Sequence, residues 1–559
     1  MADPIATGAS TYVLVTFAAY LLVLVGIGLF SARFMDTVGD YVIGGRRVGP
    51  VVTGFSERAS EMSGWLTLGV PADAYSSGII AFFNGLGMIP SDLFAWAGIA
   101  KRLRKYSEIV DAVTLPTFFA TRLRDESGLV KAVSAMVLII FEGGYVGAQI
   151  VAAGTLLQVL TGMEMWLGVL IGGIIVVGYT FLGGYFAVAW SDYFQGAIIL
   201  IAFIVLPILA FTAYGSPFAA LAELDGGASL TSITGGASGW AALFGIVSYA
   251  AIGLGVPGNP HIMVRFMGID RIENVRKAAL VAQLFMFVAY IGAALVGIYA
   301  LVQIGAGLGN PDNAMPLLTL ELLPGVMAGI VLAAALAAMM SSGDSQLLVA
   351  TSAVVEDVYH GFINPEASQA QLVRYSRIVT LGIGFLSIVF AFVARGTPIY
   401  TLVLNYAWGG LGASLGPLLI ATLWWKGLTK WGAVASMLTG TTTMILWTQW
   451  STILGAETIA GFSPFLEGLL TVYGLAPAFV LSAVVLVVVS LWTTPPEQET
   501  VNHHFAAMRQ PLEAFTNEDA EGEGATALRP DGGSPAPKAI TEMDNVRGQV
   551  EASEYWTDR

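Results

Sequence analysis

Long apolar stretches separated by short polar segments run along most of this chain. A helix needs about 20 mostly apolar residues to cross a bilayer, and stretches of roughly that length recur as far as residue 492. The pattern therefore predicts an all-α membrane protein. It predicts about thirteen transmembrane helices, at 11–33, 49–71, 78–100, 129–159, 164–183, 188–214, 239–257, 277–304, 325–355, 375–395, 398–424, 431–450 and 467–492.

Basic residues cluster in alternate loops, after the first, third, seventh, ninth and eleventh predicted spans, and in the tail. Cytoplasmic loops carry an excess of Lys and Arg, so this alternation indicates orientation. We expect an outside N-terminus and a cytoplasmic C-terminus in a plasma membrane. The loops that contain neither Lys nor Arg are 72–77, 160–163, 215–238, 305–324 and 451–466.

Two of the predicted spans contain residues that disfavour a continuous helix. The second has charged residues among serines and glycines at 53–65, and the seventh has three glycines and two prolines at 253–260. Irregular backbone at membrane depth is tolerated only where it is buried in protein or lines a cavity. The two breaks lie five helices apart, which predicts inverted five-helix repeats with a solute site at the breaks. The alternative is that these residues only kink packed helices.

Composition supports contact with lipid. Only 11% of the residues are charged, whereas a soluble protein has about 25%. Cysteine is absent, which excludes disulfides and thiolate metal sites. No metal-ligand cluster, nucleophile elbow or phosphate-binding loop is found in the sequence, so we expect neither an enzyme nor a nucleic-acid partner. The tail 493–559 is acidic and poor in aromatic residues, and we expect it to be disordered.

The ninth span carries two adjacent hydroxyls, Ser341 and Ser342. Sodium is a small hard cation, and hydroxyls with the carbonyls of unwound helices supply the oxygens that it needs. The carbonyls of Ala338, one turn earlier, and of Ala59 and Met62, in the broken second span, are candidate further ligands. On the serines alone, hydrogen bonds to the preceding turn or to a neighbouring helix are an open alternative.

Several carboxylates fall inside predicted spans. Inserting an ionisable group at the centre of the bilayer costs about 2.5–3.5 kcal/mol, so each carboxylate is expected to bind a cation, a proton or a basic side chain. Asp344 and Ser345 follow the hydroxyl pair. Asp192 begins the sixth span, where an N-cap and a functional role are equally open. The partners of the other ionisable groups stay open: Glu57, Arg58, Glu61, Asp92 and Glu142.

Short motifs at 40–46, 59–65, 182–195, 259–262 and 340–357 occur in an order that resembles the sodium/solute symporter family, and most closely its sodium/proline branch. The resemblance covers roughly residues 10–490. It implies a LeuT-type core of inverted five-helix repeats, preceded by one extra N-terminal helix, with sodium as the coupling ion.

The resemblance also implies site residues. It puts the sodium site on Ala59, Met62, Ala338, Ser341 and Ser342. It makes Asp192 and Ser345 candidates for a second cation site, to which Asp344 is a candidate addition. The residues that it places against the solute are Glu61, Ser63, Gly64, Trp65, Tyr145, Val256 and Pro260.

Six positions depart from the proline branch, which has a small residue pair where this chain has Glu57 and Arg58. It has Asp where this chain has Glu61, a hydroxyl where it has Asp344, and aromatic residues where it has Ile252 and Val256. Fewer aromatic rings mean less stacking area for a solute.

The expected domains are the N-terminal helix and loop (1–48), the two repeats (49–214 and 239–424), two C-terminal helices (425–492) and the tail (493–559).

These features predict a secondary transporter in the lipid bilayer that couples sodium to a small organic solute, with proline as the best single expectation. Two alternatives stay open. One is proton- or sodium-coupled uptake of another carboxylate or amino acid, with Glu61, Asp192 and Asp344 as proton carriers. The other is a membrane sensor that binds solute without moving it.

Overall fold

The computed structural model describes residues 11–31, 43–454, 463–494, 496 and 498–509, which are almost entirely helical. The α-helices are α1 Thr11–Ser31, α2 Pro50–Gly64, α3 Val70–Ser77, α4 Phe83–Phe94, α5 Ala100–Ile109, α6 Leu115–Leu123, α7 Leu129–Thr161, α8 Met165–Tyr214, α9 Pro217–Ala222, α10 Gly227–Leu230, α11 Gly239–Ala251, α12 Pro260–Gly268, α13 Val275–Ile304, α14 Ala314–Leu322, α15 Gly325–Ser352, α16 Gln369–Ala394, α17 Ile399–Leu402, α18 Gly409–Trp424, α19 Lys430–Leu454, α20 Pro464–Thr471, α21 Leu475–Trp492 and α22 Gln498–Arg509. Short 3₁₀ or π-helical segments join several of them, among them Trp65–Gly69, Gly78–Phe82, Ala95–Ile99, Ile252–Gly258, Ala353–Ile363 and Val403–Trp408.

The described residues include nine helices that are long and apolar enough to cross a membrane. This confirms the predicted all-α membrane architecture, but it does not confirm the number of thirteen. The fifth and sixth predicted spans both fall within the range of α8, of which Val188–Tyr214 is one of the nine.

The first predicted break is confirmed. Helix α2 begins with Pro50 in its first turn and is interrupted at Ser63, which has φ 34° and ψ −168°. A positive φ in a residue other than glycine is uncommon and strained. The amide of the next residue, Gly64, donates to Oε1 of Gln149 on α7 at 2.9 Å. A side chain of a neighbouring helix therefore satisfies a backbone donor at the interruption.

The second predicted break is confirmed as well. After α11 the helix tightens to a 3₁₀ conformation over Ile252–Gly258. Asn259 is extended, and α12 begins at Pro260. Proline suits the first position of a helix because it has no N–H to leave unpaired. The side-chain amide of Asn259 donates to the carbonyl of Gly255 at 2.7 Å. The indole of Trp408 donates to the carbonyl of Ile252 at 2.8 Å.

Glycine permits very close packing at this second break. A Cβ added to Gly258 would lie 2.6 Å from both the Cα of Gly412 and the carbonyl oxygen of Leu411, on α18. Backbone atoms cannot move aside as a flexible side chain does. Small residues at such points let helices approach closely in membranes, where packing replaces the hydrophobic effect.

The expectation of a disordered tail is wrong for its first part. Residues 498–509 form α22, on which Val501, His504 and Phe505 are buried. The His504 ring lies 4.0 Å from that of Tyr106 on α5. An apolar stripe at i, i+3 and i+4 gives this helix a face to bury. The rest of the tail, 510–559, lies outside the described residues, as do 1–10 and positions 40–42 of the first motif.

Gly258→Ala should destabilise the protein by about 1–3 kcal/mol, because the added methyl group overlaps the backbone of α18. The matched control is Gly382→Ala on α16, where an added Cβ meets no atom within 4 Å. Thermal unfolding of the purified protein in detergent measures both variants. Equal melting temperatures for the two would contradict close packing at the second break.

Candidate sodium and solute site

The two predicted hydroxyls meet the carbonyl beside the first break. Ser341 Oγ and Ser342 Oγ each donate to the carbonyl oxygen of Ala59 at 3.3 Å. Ser341 Oγ also lies 3.3 Å from the carbonyl oxygen of Ala338. All four residues are buried. The structure thus brings together four of the five residues predicted for sodium, as a compact group of oxygens between α2 and α15.

The fifth predicted residue, Met62, lies one turn after Ala59 on α2 and is also buried. Its carbonyl accepts the backbone N–H of Trp65, which caps the interrupted helix. A carbonyl oxygen has a second lone pair, so this bond does not prevent Met62 from acting as a ligand.

Asp192 lies beside the same part of α2. Its Oδ2 accepts hydrogen bonds from Ser56 at 2.6 Å and Ser60 at 3.2 Å, both on α2. It also pairs with Nη2 of Arg265, on α12, at 3.4 Å. Neither side chain is exposed by more than 1%. The N-cap interpretation is not supported, since Oδ2 bonds to other helices and Oδ1 has no hydrogen-bond partner among the described residues.

Arg265 connects Asp192 to Ser345, the second residue predicted for that group. Its Nη2 donates to Ser345 Oγ at 2.5 Å and to Ser60 Oγ at 2.8 Å. The guanidinium also lies over the ring of Tyr185, 4.7 Å from its centroid. Sequence analysis missed this role, because Arg265 was counted among the basic residues of a cytoplasmic loop. The signal was its position within α12, the apolar helix that restarts at Pro260.

Asp344 is not part of this group. It accepts a short hydrogen bond from Thr180 of α8. Its other carboxylate oxygen has no hydrogen-bond partner in the part of the chain that the structure describes. The Asp344 carboxylate therefore lies between α15 and α8. The next residue, Ser345, instead accepts a hydrogen bond from Arg265.

The partners of the remaining charges in α2 are now defined. Arg58 forms ion pairs with Glu57, Glu61 and Asp92, and its Nη2 lies 2.7 Å from Asp92 Oδ1. Asp92 also accepts a short hydrogen bond from Gln283 of α13. All four charged side chains have no exposure. Since one guanidinium serves all three carboxylates, this cluster joins α2 to α4 and α13.

The residues predicted to contact the solute flank the two breaks. Ser63 and Gly64 form the first break, and the indole of Trp65, just after it, packs edge-on against Tyr290 with ring centroids 5.5 Å apart. Val256 and Pro260 lie on either side of the second break and are buried.

Tyr145 brings α7 to the second break, since its ring packs edge-on against His261 with centroids 5.5 Å apart. One turn earlier on the same helix, Glu142 Oε1 lies 3.2 Å from His261 Nδ1. Neither Glu142 nor His261 is exposed. Sequence analysis noted Glu142 without a partner and did not select His261, although it directly follows Pro260.

Two interrupted helices, a group of hydroxyl and carbonyl oxygens beside one of them, and buried charges in a many-helix membrane bundle define a membrane transporter of the LeuT fold. Among solved structures, the chain resembles the substrate-bound outward-open state of a Na+-coupled sialic acid symporter. The TM-score is 0.70 at 18% identity, over 88% of this chain and 99% of that one.

The family model described as the sodium:solute symporter family matches residues 41–440. The chain belongs to that family, so it is a transporter rather than an enzyme, and its coupling ion is sodium. Neither proton coupling nor a sensor role is favoured by this finding.

Curated relatives match over nearly their full length. The chain is 35% identical to the high-affinity proline transporter PutP of Bacillus subtilis (strain 168), over 84% of this chain and 96% of the relative. It is 34% identical to the osmoregulated proline transporter OpuE of the same organism, over 87% and 96%. It is 34% identical to the sodium/proline symporter of Haemophilus influenzae, over 88% and 96%.

Asp192→Asn should destabilise the protein by about 3–5 kcal/mol, because it leaves the buried guanidinium of Arg265 without its counter-ion. Asp225→Asn, in an exposed loop, is the control for loss of one carboxylate. Thermal unfolding in detergent measures both. A melting temperature of Asp192→Asn equal to that of the control would show that the ion pair is not formed.

Proposed function

We propose that this protein is a sodium/proline symporter in which Ala59, Met62, Ala338, Ser341 and Ser342 bind the coupling ion. The observation that carries the sodium site is the contact of both hydroxyls with the carbonyl of Ala59. Sodium is a hard cation that prefers oxygen ligands, and all the donors proposed for it are uncharged oxygens. Such ligands bind the ion without holding it too tightly to leave.

The location of this oxygen group supplies the coupling. Ala59 stands on α2 one turn before the interruption at Ser63, whereas both hydroxyls stand on α15. An ion held between the two helices favours the arrangement in which they are close. If that arrangement is also the one that binds solute at the break, each ligand raises the affinity for the other by the same factor.

Asp192 and Ser345 we assign to Arg265 rather than to a second sodium ion. The guanidinium already supplies a positive charge to Asp192 and donates to Ser345 at 2.5 Å. A second cation at the same position would be repelled by the guanidinium charge at short range. We therefore propose one sodium ion per transport cycle, and we do not place Asp344 in an ion site.

The solute is proposed to bind between the two breaks, against Glu61, Ser63, Gly64, Trp65, Tyr145, Val256 and Pro260. The names of the relatives support proline. The start of α12 at Pro260 supports a carboxylate, since the N-terminal end of a helix attracts negative charge. Val256 and Ile252, in place of aromatic rings, leave the solute less stacking area.

The overall arrangement that we propose follows the basic loops. The two repeats occupy 49–214 and 239–424 and follow one extra helix within 1–48, and two further helices lie within 425–492. The N-terminus faces the outside and the C-terminus faces the cytoplasm of the plasma membrane. Basic residues in the loops on the proposed cytoplasmic side support this orientation.

Ser341→Ala and Ser342→Ala should each raise the sodium concentration for half-maximal uptake by roughly tenfold, equivalent to ~1.4 kcal/mol, while the maximal rate changes less. The control is Ser376→Ala, a buried serine whose hydroxyl bonds within its own helix, to Leu372 at 2.9 Å. Uptake into proteoliposomes is measured against sodium concentration. Unchanged sodium dependence in both variants would disprove the proposed sodium site.

Purified protein in proteoliposomes should accumulate radiolabelled proline when an inward sodium gradient is imposed. A pH gradient in sodium-free buffer should drive no uptake, because the proposed ion site offers no titratable ligand. A panel of other amino acids, acetate, pantothenate, sialic acid and sugars tests the solute. Uptake of one of these without uptake of proline would replace proline as the solute and keep sodium coupling.

A further inference from the structure

The pair formed by Glu142 and His261 is not explained by the sodium site or by the Arg58 cluster. Glu142 belongs to α7 and His261 to α12, and they meet where Tyr145 packs against the second break. Each side chain is completely buried. They lie among the residues proposed to contact the solute, since His261 directly follows Pro260.

Each member of the pair has a second polar atom that takes no part in the contact between Glu142 Oε1 and His261 Nδ1. Glu142 Oε2 and His261 Nε2 have no hydrogen-bond partner within the described ranges of the chain. A buried polar atom without a partner is costly, and a buried carboxylate costs more than a neutral group. If Nδ1 of His261 carries the proton and donates to Glu142, both remaining atoms are acceptors and one carries negative charge.

We propose that Glu142 and His261 bind the protonated amine of the solute, so that the transported class is defined by a positively charged N–H group. A protonated secondary amine offers two N–H donors, which matches a charged acceptor and a neutral one. The ring of Tyr145, one turn from Glu142, adds an aromatic neighbour for a cation. This assignment rests on the proposed solute site between the two breaks.

The assignment makes a specific statement about solutes. A solute that carries only a carboxylate would leave Glu142 buried and unpaired, so it should be rejected. A solute whose nitrogen is fully methylated keeps the positive charge but has no hydrogen to donate. Buried acceptors left without donors discriminate strongly against such analogues.

The test compares proline, N-methylproline and N,N-dimethylproline, which offer two, one and no N–H donors, as inhibitors of sodium-driven uptake of radiolabelled proline. In the unmodified protein we expect the inhibition constant to rise at each step, by tenfold or more from the first to the last. Glu142→Gln should raise the KM for proline about tenfold and, at saturating proline, leave the sodium concentration for half-maximal uptake unchanged. His261→Phe keeps a ring beside Tyr145 but should abolish the discrimination between proline and N-methylproline.

The control is Glu356→Gln, which alters another Glu–His pair. Glu356 lies 3.0 Å from His360, but this pair is partly exposed and stands far along the chain from both breaks. A KM for Glu142→Gln equal to that of the control, or equal inhibition by all three analogues, would overturn the assignment. So would a fall in maximal rate at unchanged KM, which is the result expected from a purely structural pair. Absence of any proline uptake by the unmodified protein would instead contradict the proposed solute.

Discussion

The requirement that buried backbone groups find hydrogen-bond partners governs this structure. The bilayer core contains no water that could hydrogen-bond an unpaired amide or carbonyl. An interrupted helix is therefore stable there only if neighbouring segments supply hydrogen-bond partners for its free backbone groups. Gln149 of α7 accepts the amide of Gly64, and Trp408 donates to the carbonyl of Ile252. Both breaks therefore depend on side chains from other helices, and near the first break the carbonyl of Ala59 accepts the hydroxyls of Ser341 and Ser342.

A second consequence concerns charge. Several ion pairs at the centre of the molecule join different helices. Arg265 of α12 meets Asp192 of α8, and Arg58 of α2 meets Asp92 of α4. Removing one member of such a pair is far more damaging than the pair is stabilising. The charges therefore fix which helices lie side by side, and they do so around the first break and along the helix that follows the second.

Much of the architecture could be predicted from the sequence, because its signals are local. Glycine, proline and charge inside apolar stretches indicated both breaks, and adjacent hydroxyls indicated the oxygen group at Ala59. What could not be predicted depends on rotation and on contacts distant in sequence. Whether Asp344 points toward Arg265 or toward Thr180 depends on the rotation of α15, which the sequence does not reveal because α15 is buried on all sides from Leu332 to Ser352. Arg265 resembled a loop residue because the sequence does not show where α12 ends.

The proximity of the sodium group to the first break links the two halves of the proposed function. Ala59, whose carbonyl accepts both hydroxyls, and Ser63, where the helix is interrupted, are four residues apart in one strained segment. Any shift of α2 that closes the break around a solute must move the carbonyl of Ala59 relative to Ser341. Because proteins pack tightly, such a shift is not absorbed locally. In the proposed mechanism, ion and solute therefore act on the same short piece of backbone, and coupling requires no longer path through the molecule.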